Sequence, residues 1–225
     1  MKKKIFTMFL AIILVLSSSM IGNANESIVE SKIQPKKMSQ EIESDFEKFI
    51  NFVEKNLEIN NNRYVLKNIE SIDTYIQNNF ENISRILNVK TKDDAIKVLK
   101  ERFVDLNNKA NDGKIMILSD GSYYNSNMIL MKSSSHVIST HWWGIRHAFY
   151  SRSAARSLAN DLEYFNDLTT IAGLILPGGP ISSIVGLLTS GYISLLVSDL
   201  RYWANRTYHF NADIAWTLNY RMYEN

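Results

Sequence analysis

From Leu168 to Ser198 the chain carries no charged residue, and Pro177-Gly178-Gly179-Pro180 interrupts the run. Proline lacks an amide donor and glycine tolerates turns, so one continuous helix is excluded and a helical hairpin is dictated. Ala154, Leu158, Leu162, Phe165, Leu168, Ala172 and Ile175 recur at helical spacing and mark the first arm, with Ser151 or Ser153 as its cap. The second arm runs from about Ile181 to Asn205. As a helix, its uncharged part from Ile181 to Ser198 measures roughly 27 Å at 1.5 Å per residue, near the thickness of a hydrocarbon core. The first arm is uncharged only from Leu168 to Leu176, about 14 Å. Full insertion would bury Asp167 at a cost of about 2.5–3.5 kcal/mol. A lone spanning hairpin is therefore disfavoured. Shallow insertion, several copies around a polar lumen, and an ordinary soluble core all remain open.

Ser182, Gly186, Ser190, Ser194 and Ser198 recur every fourth residue, a stripe of small side chains that lets helices approach closely. They are the candidate helix-packing residues, against a neighbouring copy in a membrane or against the first arm in a soluble core. All four tryptophans lie beyond residue 135, and Trp142, Trp143 and Trp203 flank the hairpin. Tryptophan favours the water–lipid boundary. With Pro177, Gly178, Gly179 and Pro180 at the turn, these three tryptophans are the candidate membrane-interacting residues.

The other end of the chain points outward too. Lys2, Lys3 and Lys4, the apolar run Ile5 to Leu16 and the small residues of Gly22-Asn23-Ala24 form a secretory signal, with cleavage expected after Ala24. Its removal changes the formal charge from +2 to −1, because 22 basic residues then face 23 acidic ones. No electrostatic footprint for nucleic acid remains. There is no cysteine, which excludes disulfides, thiolate metal sites and cysteine nucleophiles.

Between these ends, residues 25–113 read as a helical, prosegment-like domain. Ile42, Phe46, Ile50 and Val53, then Ile69 through Leu87, then Asp93 to Asn107 give three helices. Residues 114–135 read as a β-hairpin linker, with strands Ile115–Leu118 and Tyr123–Met131 around Asp120-Gly121. His136 to Tyr150 reads as one extended strand, and Tyr208 to Met222 alternates with period two as another. Residues 136–225 are thus a β-α-α-β module, and the whole chain is of the α+β class.

No phosphate loop, nucleophile elbow or paired-histidine zinc helix occurs, so no enzyme and no cofactor are expected. On one straight strand His136 and His141 point to opposite faces, and His141 and His147 lie about 20 Å apart, which separates them as metal ligands. No metal site is expected.

Thr140-His141-Trp142-Trp143-Gly144 precedes a strand, a helix bearing Leu158-Ala159-Asn160-Asp161 and the Gly/Pro-broken hairpin. This order resembles small secreted Gram-positive bacteriocin-like proteins, in which a Trp-Trp-Gly strand precedes a hydrophobic glycine-containing region. The resemblance covers roughly residues 136–225, and the helical region before it resembles their variable prosegments. It implies an exported antibacterial protein acting on a bacterial membrane or envelope target, with the C-terminal part released by proteolysis; self-association is instead suggested by the small-residue stripe. The alternative is a secreted binding or immunity-type protein whose hairpin is a buried core.

Overall fold

A six-stranded antiparallel sheet with helices on both sides organises the chain, in a computed structural model that describes residues 36–125, 135–177 and 185–224. All of these lie within one compact unit, Ile33–Asn225. The expected signal peptide at 1–24, Gly178, Gly179, Pro180, Ser182 and the strand expected beyond Asn125 fall outside the described residues. The α+β class holds.

Helix α1 (Gln40–Lys55) starts where Ser39 accepts the Ile42 N–H at 3.4 Å, and it buries Phe46, Phe49, Ile50 and Val53 on one face. A short hairpin follows, β1 (Leu57–Ile59) and β2 (Tyr64–Leu66), which turns through Asn61 and Asn62 at positive φ. The helix expected over 69–87 is two, α2 (Ile69–Asn78) and α3 (Phe80–Leu87), parted at Asn79, whose side-chain amide donates to the Tyr75 carbonyl. Helix α4 (Lys92–Asn111) completes this group behind its Thr91 cap.

Strands β3 (Ile115–Ile117) and β4 (Ser122–Asn125) are not a linker. They are two strands of the sheet, whose order β3-β4-β5-β6-β7-β8 follows the sequence. Each of the two long strands read from the sequence is a hairpin. The first is β5 (His136–His141) and β6 (Gly144–Phe149), turned through Trp142-Trp143. The second is β7 (Phe210–Ala215) and β8 (Tyr220–Glu224), turned through residues 216–219 with Leu218 at φ +63°. The second hairpin pairs Ala212 with Met222 and Ile214 with Tyr220, so its period-two alternation runs on through the turn, whereas the first pairs His141 with Gly144 and reverses the phase.

The helical excursion leaves from β6 and returns to β7, and these two strands pair along their length from Gly144↔Ala215 to Phe149↔Phe210. It contains α5 (Arg152–Tyr164), α6 (Leu168–Ile175) and α7 (Ser190–Arg206). The first arm is therefore two helices. Asp167 ends the break by accepting the Thr170 N–H at 2.8 Å, so it caps a helix that the sequence reading ran straight through. The second arm is also shorter than read. Of the uncharged stretch, only Ser190–Ser198 belongs to α7, about 14 Å of helix. Among the described residues no helix is long and apolar enough to cross a membrane.

One sheet face, carrying Ile145, Phe149, Phe210, Ala212, Ile214, Tyr220 and Met222, packs against α5, α6 and α7. A second core joins α1–α4 to β3, β4, Trp142, Trp143 and Ala215. The N-terminal helices thus cover the tryptophan turn and the other face.

Candidate functional site

The expected membrane residues separate. Trp142 and Trp143 are 3% and 6% exposed, because Phe46, Phe49 and Phe103 enclose them. The Trp142 carbonyl accepts from Arg102 Nε at 3.1 Å and from Trp216 Nε1 at 2.9 Å. These indoles are core residues and cannot anchor the folded chain in lipid. Trp203 is half-buried and stacks on Phe210 at 5.8 Å. Pro177 is buried.

The small-residue stripe is not a packing seam either. Tyr192, Leu196 and Leu200, four residues apart, win the buried face of α7 because they remove more apolar area from water. Gly186, Ser190, Ser194 and Ser198 are pushed outward and exposed. Ser190, Ser194 and Ser198 border a groove of about 540 Å³ between α7 and the α5–α6 arm, floored by Leu162, Ile171, Ile193 and Val197. The Arg201–Glu163 ion pair closes one end of it.

This outer surface is the candidate site. Along it Leu168, Leu187 and Leu195 are exposed at 37%, 37% and 41%, among glycines, serines and threonines. Its margins carry Tyr164, Phe165, Tyr202 and Tyr208, all exposed. Sequence reasoning missed these four aromatics because it weighed tryptophan alone. The signal lay in aromatics clustered at the helix ends.

Beneath the surface, the β5–β6 hairpin overturns the straight-strand argument about histidines. His136 Nε2 lies 3.1 Å from His147 Nδ1, and His147 Nε2 lies 2.8 Å from the carbonyl oxygen of Ile175, the last residue of α6. The two rings stack at 5.2 Å, and His136 stacks on Phe149 at 4.5 Å. Burial lowers both imidazoles to about 4, and for His136 the neighbouring His147 adds to the shift. Among the described residues no group of three His, Asp or Glu side chains is placed to hold a metal ion.

The opposite sheet face carries a polar cleft of about 580 Å³ between α1 and the strands, lined by Glu43, Glu47, Glu54, Asp120, His141, Arg146, Arg221 and Tyr223 among others. At its base Asp213 is fully buried and accepts from Arg146 (2.7 and 3.0 Å), Arg221 (3.2 and 3.1 Å) and Tyr223 (3.1 Å). His141, stacked on Trp143 and hydrogen-bonded to Ser139 Oγ at 2.9 Å, is lowered to about 4 by burial and by Arg146. Desolvation in the cleft raises Glu54. Compared with known proteins, the chain matches no protein-family model, no curated protein and no solved structure.

Proposed function

We propose that the chain is an exported, bacteriocin-like protein that acts on bacterial membranes by lying on them through the outer face of α5–α7. The observation that carries this reading is that Leu168, Leu187 and Leu195, all within the uncharged stretch, are exposed, with Tyr164, Phe165, Tyr202 and Tyr208 exposed near the helix ends. An apolar face rimmed by amphipathic rings suits the boundary between headgroups and acyl chains. The lack of a spanning-length helix among the described residues fits attachment in the interface plane. With a mature charge of −1, apolar contact supplies the attraction and anionic lipid adds little.

The test is co-sedimentation of residues 25–225 with vesicles of phosphatidylcholine, with and without phosphatidylglycerol. Leu195→Glu places a charge on an exposed leucine of the uncharged stretch and lowers vesicle affinity at least tenfold, without altering the melting temperature, since the residue is already exposed. Equal binding by wild type and variant, or no binding by wild type, overturns the reading. The second reading, a secreted binding or immunity-type protein, draws on the polar cleft, where two arginines are fixed by Asp213. Its mark is a ligand lost on Arg146→Ala and kept on Leu195→Glu.

A further inference from the structure

The hydrogen bond from a buried imidazole to the last carbonyl of α6 ties the uncharged layer to the sheet at one point. We propose that the His136–His147 pair is an acid-operated latch: neutral, it holds the end of α6 on the sheet, and protonated, it lets go and hands the layer to a lipid surface. This inference rests on the membrane reading above and adds the condition under which that surface is used.

The chemistry of the pair fixes its protonation. A carbonyl oxygen only accepts, so His147 Nε2 must carry the hydrogen that bonds Ile175. His147 Nδ1 is then a bare lone pair, and the partner 3.1 Å away must be a donor, His136 Nε2–H. The relay therefore runs His136 to His147 to Ile175 with one hydrogen at each step. A proton on His147 Nδ1 turns that acceptor into a donor facing another donor. It also places a charge at a side chain that is 0% exposed.

Little nearby compensates for such a charge. On the sheet, β5 contributes His136, and β6 contributes Ile145 and Phe149 beside His147. Strand β7 contributes Phe210 and Ala212, while its Asp213 points to the other face and is already engaged by Arg146 and Arg221. From the helices come Ala155, Leu158, Ala159 and Leu162 of α5, and Ile171, Ala172 and Ile175 of α6. Helix α7 contributes Tyr192, Leu196, Val197 and Leu200. Among the described apolar residues of this core, the titratable ones are Tyr192 and Tyr220, the latter donating to Asp199. The Ile175 carbonyl, which accepts from either form of the ring, and Asp213 through the sheet both favour a charge on His147, and burial outweighs both, so it is burial that drives release.

The direction with pH follows. The docked layer holds both imidazoles near 4, whereas a released imidazole titrates near 6.5. The released state binds more protons between those values, so docking is strongest above about pH 6.5 and weakens as the pH falls toward about 4. Over that window the equilibrium shifts toward release by on the order of 100-fold for each histidine.

The experiment follows residues 25–225 from about pH 7.5 to about pH 4 in two readouts. Amide hydrogen exchange of Leu168–Leu176, corrected for intrinsic rates and taken without lipid, reports the latch. Leakage of dye-loaded phosphatidylcholine–phosphatidylglycerol vesicles reports the membrane. In wild type both rise on acidification with midpoints inside the window. His147→Gln offers an amide hydrogen to Ile175 but does not titrate, and it removes that residue's share of the rise from both profiles. His136→Gln, a milder change at a half-buried site, narrows the rise to a single-proton slope and covers the case in which His147→Gln does not fold. An α6 exchange profile in His147→Gln and His136→Gln unchanged from wild type overturns the latch. Acid loosening of α6 that depends on His147, with neither leakage nor co-sedimentation at any pH, sustains the latch and sinks the membrane reading.

Discussion

Gly144 shows how closely a single position is specified. A Cβ there would collide with the Ile214 carbonyl oxygen and crowd the Ala215 Cα, because β6 and β7 meet at this point. Backbone atoms cannot step aside as a side-chain tip does, so Gly144→Ala costs about 2 kcal/mol or more of stability. Urea denaturation of residues 25–225 checks this, and a loss under about 0.5 kcal/mol would show that the strands have room. The neighbouring Trp142-Trp143 pair owes its place to the same geometry. The turn drives both indoles into the aromatic pocket of Phe46, Phe49 and Phe103. A Trp-Trp-Gly motif read from sequence as a membrane flank is here a packed corner, and only the partner helices, distant in sequence, decide between the two.

Helix α7 begins where Thr189 accepts the Tyr192 N–H at 3.1 Å. Thr189→Ala removes that cap and lowers stability by about 1 kcal/mol, measured by thermal melting. An unchanged melting temperature would mean that packing of Tyr192 and Leu196 alone sets the helix start. The elements themselves were partly legible. Spacing placed α1, with Phe46, Ile50 and Val53 buried as expected, and period two assigned Phe210, Ala212, Ile214, Tyr220 and Met222 to one sheet face. The breaks were not legible. Turns normally advertise themselves through glycine or asparagine, yet β5–β6 turns on two tryptophans, and β7–β8 uses Leu218 in a left-handed conformation. Of the candidate site, the uncharged stretch was visible in composition. Which face of α7 would be buried was not, since Tyr192, Leu196 and the serines each present a regular four-residue stripe. Burial went to the larger side chains. The histidine relay was invisible because it needs the unforeseen turn at Trp142-Trp143 to bring His136 to His147.

Across the whole molecule the N-terminal helices belong to the same folded unit as the C-terminal strands. Arg221 of β8 reaches Glu47 of α1, Thr217 donates to the Ile86 carbonyl, and Arg102 of α4 holds the Trp142 carbonyl. A fragment of residues 136–225 would lose β3, β4 and α1–α4, and would bare Trp142, Trp143 and Ala215 to water. We expect that fragment to be aggregated or molten by gel filtration and near-ultraviolet dichroism, so proteolytic release would have to happen at a membrane to yield a working species. A monomeric fragment with native-like dichroism would reinstate the module as independent.

The pairing of β6 with β7 has a kinetic side. Every other neighbouring pair of sheet strands is a close neighbour along the chain, but the β6–β7 seam forms only after Tyr150 to His209 have looped back. Closing such a loop costs on the order of 4 kcal/mol of chain entropy before any contact repays it. The sheet should therefore assemble as two preformed pieces, β3–β6 and β7–β8, with the seam zipped last and opening first. Under pulling force or partial denaturation the molecule would divide along Gly144–Phe149, lifting the helical layer on whichever piece keeps it.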